Sequence, residues 1–149
     1  MSLGELVKNS AVKASLIEDC DRLINAQVAQ KAGVSGMAIR TAYRVVKGVG
    51  PTYTRGAISR MLPATLDALD TIWQEGMQSG NPVEYLNEQR SRTADLILSV
   101  TDHRIRYTSG PVVGVYNKLR KSVKGDVEEA VPELANILER HHLMTLQNA

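Results

Sequence analysis

From residue 10 to residue 141 the apolar side chains of this chain return at steps of three to five and show no sustained alternation in twos, a regularity that points the fold to helices. Val12, Leu16, Cys20, Leu23 and Val28 predict a long helix over 10–32, with Ser10 as its cap. Ile39, Tyr43 and Val46 predict a second over 36–47, with Arg40, Arg44 and Lys47 on a different face, ended by Gly48, Gly50 and Pro51. A third, over 53–77, carries Ile58, Leu62, Leu66, Leu69, Ile72 and Trp73, and within it Pro63 either makes a kink or opens a new helix. Asn81 as cap, Pro82 at the first helical position and Glu84 three residues after the cap start a helix expected to reach Arg106. Ser109-Gly110-Pro111 opens the next, which Gly125 should stop, and Asp126 with Glu129 should cap a last helix that ends near His141 in a frayed tail. Phenylalanine is absent, and the expected fold is an all-α bundle of six or seven helices.

The chain also echoes itself. Ser35-Gly36 returns as Ser109-Gly110, and an aspartate, Asp21 or Asp95, stands fourteen residues before each serine. A tyrosine with basic neighbours follows each pair: Tyr43 with Arg44 and Lys47, and Tyr116 with Lys118 and Arg120. Leu62-Pro63 is answered by Val131-Pro132. Two diverged copies of one helical unit, over 10–78 and 82–141, would then pack about an approximate twofold within a single domain covering 1–149, because neither half alone has the apolar surface to close a core.

No apolar run approaches the ~20 residues that cross a bilayer, and the first residues lack the basic and apolar segments of a secretory signal. Met1 to Leu3 read as an expression scar. Cys20 is the only cysteine, so no internal disulfide can form, which fits a reducing cytoplasm; on the apolar face of its helix it reads as a small core residue.

Charge is distributed in bands beneath a net charge of +2. Between Arg22 and Leu66 there is no acid, against Lys31, Arg40, Arg44, Lys47, Arg55 and Arg60; between His103 and Gly125 there is again none, against Arg104, Arg106, Lys118, Arg120, Lys121 and Lys124. Acids gather between these stretches and at the end of the chain. The residues expected to engage an anionic partner are Arg40, Arg44 and Lys47 in the first band, and Lys118, Lys121 and Lys124 in the second. That partner could be nucleic acid, an acidic protein or an anionic membrane surface. A weaker anion site is expected at the two helix starts, Ser35-Gly36 and Ser109-Gly110, though capping alone accounts for a serine there. Self-association through an apolar face, with no anionic ligand, is the purely structural alternative.

Residues 28–47 also fit a helix-turn-helix, with Ala29, Gly33, Val34, Ile39 and Ala42 at the motif's small, turn and apolar positions and Arg40, Arg44 and Lys47 projecting from a recognition helix. A first helix of about twenty residues argues against it. Enzyme chemistry finds no constellation: no cysteine cluster, no phosphate loop and no nucleophile elbow, so no catalytic residue, metal or cofactor is expected. His103 beside Asp102 is not a dyad, since helix neighbours point apart, and Glu139 with His142 makes one Glu-x-x-His where di-iron sites need two. His141 and His142 read as part of a fraying end, and Tyr43, Tyr116 and Trp73 as core packing with polar groups bonded at its edge.

Four segments in order, Gly33-Val34-Ser35-Gly36-Met37-Ala38-Ile39-Arg40, Val100-Thr101-Asp102-His103-Arg104, Val115-Tyr116-Asn117-Lys118-Leu119-Arg120 and Val127-Glu128-Glu129-Ala130-Val131-Pro132-Glu133-Leu134, resemble an uncharacterised family of short bacterial proteins, a domain of unknown function. The resemblance implies a small helical bacterial protein, and it brings no activity, cofactor or functional residue.

Overall fold

The computed structural model describes residues 2–30, 33–50 and 52–147, with the side chains of Gly33, Val34, Ser35 and Ala38 outside that description. Among the described residues there are a short 3-10 helix, Leu3–Lys8, six α-helices and no strand: α1 (Ser10–Gln30), α2 (Gly33–Val49), α3 (Tyr53–Ser79), α4 (Pro82–Glu88), α5 (Arg90–Ile105) and α6 (Pro111–Gln147). The all-α bundle expected from the periodicity is the fold.

Its boundaries depart from the sequence reading wherever local signals meet tertiary packing. Ser10 is the first residue of α1 and not its cap; the Asn9 side chain accepts from the amides of Ala11 and Val12 at 2.9 and 3.1 Å. Leu3, at the start of the chain, is fully buried, with its amide donating to Asp70 Oδ1 at 2.9 Å. Asn81 does cap α4, accepting from the Glu84 amide at 3.1 Å, but that helix ends at Glu88 and α5 restarts at Arg90. Gly125 and Asp126 neither stop nor cap anything: α6 runs through them and through Pro132 as one helix of 37 residues. Pro63 likewise sits inside an unbroken α3. The last helix holds to Gln147, and the expected frayed tail is helical through His141 and His142. The two halves therefore differ in outline, since α2 and α3 are separate helices where the second half has the single α6.

The tightest packing is concentrated in one region of the bundle. Leu3 and Leu6, Leu16 of α1, Leu62 to Trp73 of α3, Leu86 of α4 and Val131 to Leu138 of α6 form a continuous buried cluster. Gly76 lets α4 lie against α3, because a Cβ there would meet Pro82 Cα at 2.8 Å. Gly80, at φ 94°, ends α3 in the left-handed conformation that favours glycine.

Candidate functional site

Beyond this cluster the same helices continue with their apolar faces only partly covered. In α2, Ile39, Tyr43 and Val46 are half-buried, and so are Val112, Val115, Leu119, Val123 and Val127 along the first two-thirds of α6. A groove of about 360 Å³, half open to solvent, runs between α1, α2, α3, α5 and α6 and is lined by Leu23, Val28, Ile39, Ile58, Ile97 and Val127 among others. Its walls are almost wholly apolar; Gln27, Thr65, Thr101 and Asp126 supply the few polar groups. Leu16 comes before the groove positions along α1, whereas along α3 and α6 the groove positions come before the deep core residues Leu69, Ile72 and Ile137, so the groove continues the core along the bundle. At this size it falls within the ~300–1,000 Å³ of ordinary small-molecule sites.

Both acid-free stretches contribute to the lining of this groove, the first with residues from Leu23 to Thr65 and the second with Val123. Ile39 and Val123 line it, and their chain neighbours are Arg40 and Lys124. Among the predicted site residues, Arg44, Lys47, Lys118 and Lys121 are exposed, while Arg40 and Lys124 are half-buried. Lys124 is taken up by Asp95, at 2.9 Å, and Lys47 lies over the Tyr43 ring with its Nζ 5.2 Å from the centroid. Arg44, Lys118 and Lys121 make no ion pair among the described residues. Lys31 lies outside the described residues. On α2, which carries Arg44 and Lys47, the apolar Met37, Val45 and Val49 are also exposed, with Met37 63% exposed.

The helix starts do not form the matched pair expected. The Ser35 side chain lies outside the described residues, but α2 already includes Gly33, so Ser35 and the buried Gly36 sit inside the helix and not ahead of it. Ser109 and Gly110 are exposed before Pro111, with Gly110 at φ 98°, and here a glycine precedes the helix where a serine cap was expected. Gly33, the turn glycine of the helix-turn-helix reading, is the first residue of α2, the residues just before it lie outside the described residues, and Val28 of that motif lines the groove. The aspartates of the echo differ as well: Asp21 is 7% exposed and pairs with Arg55 at 3.2 Å, whereas Asp95 is exposed.

Both tyrosine hydroxyls bond at the edge of the packing, as expected. Tyr43 donates to Asn25, tying α2 to α1. Tyr116 donates to Asp102, which also takes a bidentate fork from Arg120 at 2.7 and 2.9 Å, tying α6 to α5. That fork, with the tyrosine bond, outweighs the upward push of partial burial and holds the Asp102 carboxyl below the usual carboxylate range. His103 is exposed against Tyr107, with ring centroids 5.4 Å apart. Cys20 is half-buried and lines the groove, where burial and, secondarily, the nearby Asp19 push its thiol up to about 11, leaving it a protonated, unreactive group.

Sequence reasoning missed one cluster altogether. His141 and His142 are 7% and 3% exposed, and His141 Nε2 lies 2.7 Å from Asp19 Oδ2, on a helix 122 residues away in sequence. A signal was present, since His141 falls four residues after Ile137 and His142 four after Leu138, on the apolar face of the predicted last helix. Among the described residues, no group of three or more His, Cys, Asp or Glu side chains is placed to hold a metal, and no helix is long and apolar enough to cross a membrane.

No curated protein and no solved structure matches this chain. A family model does match, across residues 3–142, and it takes in α1 to α5 and most of α6, including the groove and both basic bands. On that match the chain belongs to a family of unknown function, DUF6918.

Proposed function

We propose that this protein is a non-enzymatic binding module for an anionic lipid, with the groove receiving apolar chain and the two basic bands receiving the head group. The observation that carries the reading is the lining of the groove, an apolar cleft to which both acid-free stretches of chain contribute, residues from Leu23 to Thr65 from the first and Val123 from the second. An apolar ligand gains roughly 25 cal/mol for each Å² of apolar surface it removes from water, and each Lys or Arg near an anionic surface adds about 1 kcal/mol at physiological salt. Arg44, Lys118 and Lys121 are available for the second contribution because no carboxylate among the described residues neutralises them. The exposed Met37, Val45 and Val49, with Arg44 and Lys47 on the same helix, give α2 the composition of a helix that lies in a membrane interface.

Nucleic acid would use the same cations but has no need of the groove. Flotation with vesicles separates the readings. Vesicles of phosphatidylglycerol should carry the protein and those of phosphatidylcholine should not, with binding that weakens as salt rises. Reversing Arg44, Lys47, Lys118 and Lys121 together to Glu should abolish flotation while leaving the helical circular dichroism unchanged. Equal binding to both vesicle types, or a reversed variant that still floats, would remove the basic bands from the account; retention on DNA but on neither vesicle would favour nucleic acid.

A further inference from the structure

A second cavity, of about 650 Å³, lies where the first half of α1 meets the last turns of α6, and its chemistry is unlike that of the groove. Asp19, Arg22, Arg140 and His141 all line it. The His141 side chain is 8% exposed and the Asp19 side chain 14%, so both are held within the fold, whereas the two arginines reach outward at 55% and 71%. Burial pushes the Asp19 carboxyl up, but the hydrogen bond and charge of His141, with the charges of Arg140 and Arg22, outweigh it and keep the group ionised. An ionised carboxylate only accepts, so Nε2–H of His141 donates to it, and the ring keeps Nδ1 for a second partner.

The cluster has more donors than Asp19 can use. Arg22 Nη2 reaches Oδ1 at 3.1 Å and Arg140 Nη2 stands at 3.5 Å from Oδ2, each contact engaging one of the five N–H groups of a guanidinium. One negative charge therefore faces two fixed positive charges and a bound imidazole. Surface arginines in such excess commonly face water and contribute little. Here they line a cavity together with a nine-tenths-buried histidine fixed by a carboxylate, and Val12 and Met144 give that cavity an apolar wall.

We propose that this cavity binds a small organic oxyanion, a carboxylate or a phosphate monoester, held between the guanidinium groups of Arg22 and Arg140 and against the Asp19-anchored ring of His141. The carbon skeleton of the ligand lies along Val12 and Met144. The site is separate from the groove and stands whether or not the lipid reading does.

The test is an NMR titration of the full chain, following backbone amides and the histidine ring protons, with inorganic phosphate in one series and benzoate in another, at ionic strength held constant with sodium chloride. Saturable shifts confined to the region of Ser15, Asp19, Arg22, His141 and Thr145 are expected with at least one probe, and which probe saturates identifies the oxyanion. Replacing Arg22 and Arg140 together by Gln should weaken that binding at least about tenfold, the loss of charge-assisted hydrogen bonds, without changing binding to phosphatidylglycerol vesicles. Shifts that rise linearly with both probes, as with added chloride, would show a purely structural ion cluster and overturn the proposal. So would saturable binding that the double variant leaves intact. The wild-type series decides the matter even should the variant fail to fold.

Discussion

His142 and Trp73, both buried, meet edge to face with ring centroids 5.8 Å apart, and each carries a buried ring nitrogen that finds no hydrogen-bond partner among the described residues. A buried polar atom without a partner costs about 1–3 kcal/mol, whereas an apolar ring of the same shape escapes that cost. His142→Phe should therefore hold or raise stability, by up to about 1 kcal/mol in urea denaturation. A loss larger than that would show that the imidazole makes a bond the contacts described above do not include. Its neighbour His141 should behave in the opposite way, because its nitrogen is satisfied by Asp19. Neither role was legible locally: the Asp19 partner comes from the other end of the chain, and consecutive histidines near a C-terminus look like a solvated tail. The apolar residues one turn earlier were the only hint. By contrast Tyr43 and Tyr116 were read correctly, because a tyrosine on an amphipathic face has only one way to bury its ring and keep its hydroxyl bonded.

Among the helices, the sequence patterns located apolar faces far better than they located ends. Asn81-Pro82 and Gly80 worked as punctuation because their chemistry is local, a side-chain cap, a fixed φ and a left-handed stop. Gly125-Asp126 failed because glycine inside a helix costs only about 1 kcal/mol, which the packing of Val123, Val127 and Val131 on either side offsets. The break at Gln89 was missed for the complementary reason, since it contains neither glycine nor proline. The Gln89 amide donates to the Tyr85 carbonyl at 2.9 Å and closes one helix, and the Thr93 hydroxyl donates back to the Gln89 carbonyl in the first turn of the next. Two glycine substitutions test this picture with opposite signs. Gly125→Ala, with open space around its added Cβ, should stabilise by up to about 1 kcal/mol if α6 is continuous there, and a loss would mean the helix breaks at that glycine. Gly76→Ala, whose Cβ would press on the Pro82 backbone, should cost about 1–3 kcal/mol by thermal or urea unfolding, and a neutral result would contradict the close approach of α3 and α4.

Over the whole molecule, a well-packed region is continued by a partly covered one, and both acid-free stretches of the chain contribute to the second. The charge bands were plain in the sequence because they are a matter of composition, and so was the helical class. The groove was not, because it is made where five helices leave their apolar faces partly covered, and a periodic pattern predicts a buried face without saying what covers it. The echo between the halves is a matter of sequence, and one half keeps two helices where the other has one. The proposed reading pairs the apolar cleft with positive charge, and a calorimetric titration below micelle-forming concentrations addresses both parts at once. Laurate should bind saturably; dodecyltrimethylammonium, with the same tail and the opposite charge, should bind at least about tenfold more weakly; and Ala130→Trp, which fills the groove, should weaken laurate by a similar factor. Equal affinity for the two amphiphiles together with an undiminished response in the Trp variant would contradict the account.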